Sequence, residues 1–337
     1  SAYNAALADG GRFVAFEASA GNENFAKRYG QMTVVVRDLS TGRSVAVSHA
    51  GLGPDAPART AYNPAISADG RLVAFEASDS GRAGRPSTNG LWLGDTVTGA
   101  RRLVRRGAAG ATYAPRLSAD GSTLVFTAPV GRTTQIHALD VRSGRVEVVS
   151  RARGPRGAPA DRDAVEPAVS ADGSIVAFSS GAGNLGTAGG SARVFVRDRA
   201  RATIEAITAS GPAYGPGLSP DGGHVAFSQR RGVTPQRPEG SGSQVWLHDR
   251  AGGGRTLVSR ADGAEGRVAD GHSLEAVVSR GGEHVAFTST AANLDERKPA
   301  GLSGVFVRDV RRGTTRLQSS HTPRKAPRAD PPAHGHG

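Results

Sequence analysis

Ser67–Phe75 reads SADGRLVAF, and the same hairpin returns as SADGSTLVF at Ser118–Phe126, SADGSIVAF at Ser170–Phe178 and SPDGGHVAF at Ser219–Phe227. Two looser copies flank these four: ADGGRFVAF at Ala8–Phe16 and SRGGEHVAF at Ser279–Phe287. Aligned on the turn glycine, the anchors are Gly11, Gly70, Gly121, Gly173, Gly222 and Gly282, spaced by 49 to 60 residues. A unit of strand, turn and strand repeating at that period marks a propeller or a solenoid.

Each copy supplies more than one hairpin. The Asp-Gly pair is suited to a tight turn, since both residues tolerate positive φ. A third strand follows a variable loop (TVVVRD, LWLGD, IHALD, VFVRD, VWLHD, VFVRD) and ends at Asp38, Asp95, Asp140, Asp198, Asp249 or Asp309. A short turn then leads to a fourth strand. Four antiparallel strands per repeat, six times over, predict an all-β chain folded as a six-bladed β-propeller. The expected blades are 1–50, 51–107, 108–152, 153–209, 210–260 and 261–320, with a disordered Pro- and His-rich tail over 321–337. Runs such as LVAF, apolar on both strand faces, fit blades sandwiched between neighbours.

The chain carries a net charge of +12, and lysine occurs only at 27, 298 and 325. Its arginines are scattered through turns and strand ends without an aromatic stacking platform, so specific nucleic-acid recognition is not expected. Weak attraction to anionic polymers such as glycans is. There is no cysteine, which excludes disulfides and thiol chemistry. Apolar runs are strand-length, so no membrane insertion is expected. The chain opens at Ser1 directly in a first strand, and a targeting segment is expected to lie outside it.

The pattern S-x-D-G-x-x-V-A-F followed by a V-F-V-R-D strand resembles the TolB-like, WD-repeat-like propeller unit across residues 3 to about 320. That resemblance implies a six-bladed propeller working outside the cytoplasm, often as a protein-binding scaffold. TolB has an additional α/β domain before its propeller, and this chain has no counterpart to it, which weakens the analogy to the TolB role itself.

The Asp residues recur in nearly every repeat, which suits turn building better than catalysis. Residues that differ between repeats carry more information. Eight positions before each anchor glycine, at the channel mouth, stand Tyr3, Tyr62, Tyr113, Val165, Tyr214 and Leu274. The next position holds Asn4, Asn63, Ala114, Glu166, Gly215 and Glu275; two further on, Arg116 stands where the other repeats have small or apolar residues. Tyr3, Tyr62, Tyr113 and Tyr214 with Arg116 are candidates for ligand binding. Glu166, Glu275, Asn4 and Asn63 are candidate metal ligands, and oxygen donors of that kind suit Ca²⁺. Lactonase-type propeller hydrolases resemble this in residue types only.

The long second-to-third strand loops (18–31, 78–89, 229–242 and 290–303) and the connections 151–164 and 260–273 are expected on one face, opposite the short turns. The leading expectation is therefore a monomeric, non-enzymatic extracytoplasmic scaffold binding a protein or glycan there. The alternative is a metal-dependent hydrolase or lyase at the channel mouth. Strand exchange between the termini is not expected, so the first and sixth blades should meet by side-chain packing alone.

Overall fold

The computed structural model describes residues 2–19, 32–49, 59–79, 88–108, 112–208, 211–230, 242–298 and 301–319. The loop segments 20–31, 80–87 and 231–241 and the tail from 320 lie outside the described residues, as does the side chain of Tyr3.

Six four-stranded antiparallel sheets are present among the described residues, each built from four consecutive strands in sequential order. This is the six-bladed β-propeller that the repeats predict. The innermost strands are Ala2–Leu7, Arg59–Ile66, Arg116–Leu117, Ala164–Val169, Ala213–Leu218 and Ser273–Val278. The outermost are Ser44–Ala46, Arg101–Ala108, Val146–Val148, Thr203–Ala206, Arg255–Leu257 and Thr314–Leu317.

The hairpin signature has a hydrogen-bonded meaning. Ser67 Oγ donates to Asp69 Oδ1 at 2.6 Å and accepts from Leu72 N at 2.9 Å, while Asp69 Oδ1 accepts from Arg71 N at 3.0 Å. The same Ser-to-Asp bond recurs at Ser118–Asp120, Ser170–Asp172 and Ser219–Asp221. The turn is not the two-residue form with both residues left-handed. In these copies the glycine alone takes positive φ (Gly70 at 71°), and Ser67 N bonds Leu72 O across a four-residue loop. The Asp ending each third strand accepts from amides two or three residues on, as at Asp95 with Val97 N and Thr98 N and at Asp140 with Ser143 N. Both turns of a blade lie side by side, tied by bonds such as Thr96 N to Arg71 O at 2.8 Å.

The repeated Phe anchors each blade. Phe16 sits opposite Val35, but in the other five blades the partner is an aromatic ring, stacked in the pairs Phe178–Phe195 (5.8 Å between centroids) and Phe287–Phe306 (5.7 Å). Phe75, Phe126, Phe178, Phe227 and Phe287 are fully buried, whereas Phe16 is only partly so. Phe16 belongs to the face of the first blade that looks toward the sixth, and this junction differs from the others. In the fourth blade Ala177 (0 % exposed) and Val196 (1 %) are sealed by the fifth; their counterparts Ala286 and Val307 in the sixth remain partly open. Leu7 and Val277, facing each other's blades here, are 63 % and 67 % exposed. Among the described residues no strand crosses this seam. An exposed ion pair, Arg280 to Asp9 at 3.6 Å, spans it on the turn side.

One expectation about the connections is corrected. The segment from Arg151 to Pro159 does not stay on the long-loop face but folds back along the outer rim, where Gly154 N bonds Ala202 O in the far turn of the fourth blade. Arg260 to Val268 does the same at the sixth blade, through Gly263 N to Gly313 O. The buried guanidinium groups of Arg197 and Arg308 hold these arms by donating to carbonyls at 152 and 154, and at 261 and 263.

Candidate functional site

The residues singled out at the channel mouth share a backbone feature. Asn4, Asn63, Ala114, Glu166, Gly215 and Glu275 all have positive φ, between 42° and 62°. Non-glycine residues seldom adopt this conformation without a reason. The reason is a β-bulge: register slips by one between Tyr62 and Ala65, between Val165 and Ala168, and at the equivalent places of the first, fifth and sixth blades. Proline follows at 64, 115, 167 and 216, where the bulge leaves no ladder donor to lose.

The left-handed residue turns its N–H toward the preceding blade, and a carboxylate meets it there. Glu17 Oε1 accepts from Asn63 N at 2.8 Å, Glu76 Oε1 from Ala114 N at 3.1 Å, and Glu166 Oε2 from Gly215 N at 2.7 Å. Within a blade, the bulge residue pairs with the residue thirteen positions on. Asn4 donates to Glu17 and Asn63 to Glu76, while Glu166 accepts from Ser179 and Glu275 from Thr288. Asn pairs with Glu in two blades, Glu with a hydroxyl in two others. Glu17 and Glu76 are further members of this set, and the exchange of partners at a constant spacing of thirteen is written in the sequence.

The four candidate metal ligands thus lie in four different blades, and Asn4, Asn63, Glu166 and Glu275 are each engaged in one of these bonds. Among the described residues no three His, Cys, Asp or Glu side chains gather into a ligand set. Glu275 bonds within its own blade, whereas Glu166 bonds Ser179 of its own blade and Gly215 of the next.

The described tyrosines, Tyr62, Tyr113 and Tyr214, point into the blades. Tyr113 is buried between the second and third blades, so it offers no ring face to a ligand, and burial pushes its pKa up. Tyr62 OH accepts from Asn89 Nδ2 at 2.6 Å, and its pKa is raised by burial and by the Glu76 carboxylate. Tyr214 OH is bonded to Ser243 Oγ. Arg116 stands apart. Its side chain is reached by solvent, its Nη1 donates to Pro115 O at 2.9 Å, and crowding by the surrounding ring lowers its pKa through desolvation.

At the other end of the channel lies a cavity of about 560 Å³, lined by one aliphatic residue from each blade: Leu7, Ile66, Leu117, Val169, Leu218 and Val278. In the sequence these residues look like ordinary strand residues.

On the long-loop face, two loop modules repeat bond for bond. Entering the fourth blade, Asp161 N donates to Asn184 Oδ1 (3.1 Å), Gly183 N to Asp161 Oδ1 (2.9 Å) and Asn184 Nδ2 to Pro159 O (2.8 Å). Entering the sixth, Asp270, Ala292 and Asn293 repeat the pattern, ending on Val268 O. Each clasp joins an inter-blade connection to a second-to-third strand loop. Beneath them, the buried amides of Gln135 and Gln244 donate to connection carbonyls at 160 and 162, and at 269 and 271.

Among known proteins, no family model and no curated protein matches the chain. Solved structures do. TolB from Acinetobacter baumannii aligns with a TM-score of 0.53 at 18% identity, covering 92% of this chain, which spans only 66% of that protein's length. The β-propeller domain of the trilobed protease from Pyrococcus furiosus, described as having an open velcro topology, aligns at 0.58 with 13% identity, covering 94% of this chain and 82% of that one. Oligogalacturonate lyase from Vibrio parahaemolyticus aligns at 0.57 with 11% identity, covering 90% and 76%. At such identities the likeness is one of fold, and the fold is that of a TolB-like six-bladed β-propeller.

Proposed function

We propose that the chain is a non-enzymatic binding scaffold, acting as a monomer outside the cytoplasm, which takes a protein or glycan partner on its long-loop face. The observation that carries this reading is the pair of clasped loop modules built on Asp161–Asn184 and Asp270–Asn293. Loops tied to their neighbours by side-chain-to-backbone bonds bind with little ordering cost, which is what a recognition surface on a rigid scaffold needs. The polar residues of the channel mouth meanwhile hold blade to blade. The extracytoplasmic assignment follows the resemblance to TolB-like propellers and accords with the lack of any membrane-crossing helix among the described residues.

The test is capture of partners by the intact protein, followed by cross-link mapping of the purified complex. Cross-links should fall on the segments 181–192 and 290–298. Cross-links confined to the short-turn face would overturn the reading.

A further inference from the structure

The cavity at the turn end of the channel is not six-fold. Besides its ring of six aliphatic residues, it extends into the seam between the sixth and first blades, where Val277, Ala286 and Val307 line it on one side and Leu7 to Gly11 on the other. At the junction of the fourth and fifth blades, the positions equivalent to Ala286 and Val307 are sealed. Apolar surface that every other junction covers by blade packing here lines a cleft open to solvent among the described residues. Its volume of about 560 Å³ falls inside the range of small-molecule sites, roughly 300–1,000 Å³.

Charge enters at one edge only. Arg280 and His284 from the sixth blade and Asp9 from the first line the cavity where it reaches the seam. His284 Nε2 lies 3.7 Å from Asp309 Oδ2, and Arg280 lies 3.6 Å from Asp9. The Arg280 and Asp9 side chains are 65% and 43% exposed, and an ion pair so open to water contributes little. The guanidinium can therefore exchange its partner for an incoming anion. The net charge of +12 draws anions to the surface.

We propose that this cleft binds a small amphipathic anion: an aromatic or branched aliphatic body inside the aliphatic ring, with one carboxylate or sulfonate held by Arg280. The site lies at the opposite end of the channel from the long loops, and the two readings stand or fall separately.

The test uses the whole chain with two fluorescent probes of matched shape, the anionic anilinonaphthalene sulfonate and the neutral phenylnaphthylamine. The sulfonate should bind saturably at one site per chain. Val169→Trp, which fills the ring, should weaken both probes at least about tenfold. Should that variant lose its native circular dichroism, Leu218→Phe places a smaller excess in the same space and should weaken both several-fold. Arg280→Gln should weaken the sulfonate about fivefold and leave the neutral probe unchanged. Lack of saturable binding, undiminished binding in the filled variants, or equal loss of both probes in Arg280→Gln would each overturn the proposal.

Discussion

The carboxylate of Glu166 accepts a 2.7 Å hydrogen bond from the backbone N–H of Gly215, the left-handed residue of the next blade. Glu17 with Asn63 and Glu76 with Ala114 repeat this contact from a different strand. Glu166→Ala leaves the Gly215 amide without that acceptor and should cost about 1–2 kcal/mol in urea unfolding, the range for a lost charge-assisted bond near solvent. Glu166→Gln retains a carbonyl acceptor and should cost less. Equal, negligible losses in both variants would show that the contact does not tie the blades.

Gly217 has a different constraint. A methyl group on it would overlap the Ala276 carbonyl oxygen of the sixth blade, a backbone atom that cannot swing aside. Gly217→Ala should therefore lower stability by about 1–3 kcal/mol in thermal or urea unfolding, as overpacking does elsewhere. A neutral result would mean that the fifth and sixth blades separate easily.

Acid should loosen the turns. Amides of Ser143, Gly252 and Arg312 donate to Asp140, Asp249 and Asp309 and hold these carboxyl groups below the usual range. A carboxylate whose folded pKa is depressed adds stability that is fully present above its unfolded value of about 4 and is lost as pH falls through the folded value. The melting temperature should thus decline from about pH 5 downward, and Asp140→Asn should flatten that slope. A melting temperature constant down to pH ~2 would contradict the assignment.

The seam between the first and sixth blades should open first. Among the described residues its apolar faces are the least covered and no strand crosses it. Hydrogen exchange read by mass spectrometry should show the strands Phe13–Ser19 and His284–Ser289 exchanging faster than Ile175–Ser180 of the fourth blade. The reverse order would place the weak junction elsewhere.

The fold was legible because the Ser-Asp-Gly hairpin and its Phe are local features repeated in sequence, and repetition lets one copy vouch for the next. The roles of the third-strand Asp residues were legible for the same reason. The Asn and Glu residues of the channel mouth stand out in the sequence by type, but their bonds depend on a bulge whose mark there is the proline at 64, 115, 167 and 216. Once the bulge is placed, their bonds to Glu17, Glu76, Ser179 and Thr288 follow from the pairing of strands. The tyrosines read as a rim, yet Tyr113 is buried and Tyr62 and Tyr214 spend their hydroxyls within their own blades. The aliphatic ring of the cavity was invisible, since Leu117 or Val169 in a strand looks the same whether it meets a neighbour or a void.

The most direct test of the scaffold reading compares the two faces of the propeller. The loops at 182–190 and 291–298 would be replaced together by Gly-Ser linkers, and in a separate variant the turns at 40–43 and 142–144 likewise. Affinity for the purified partner should fall at least about tenfold with the loop variant and stay unchanged with the turn variant. Unchanged affinity in the loop variant, with loss in the turn variant, would contradict the account.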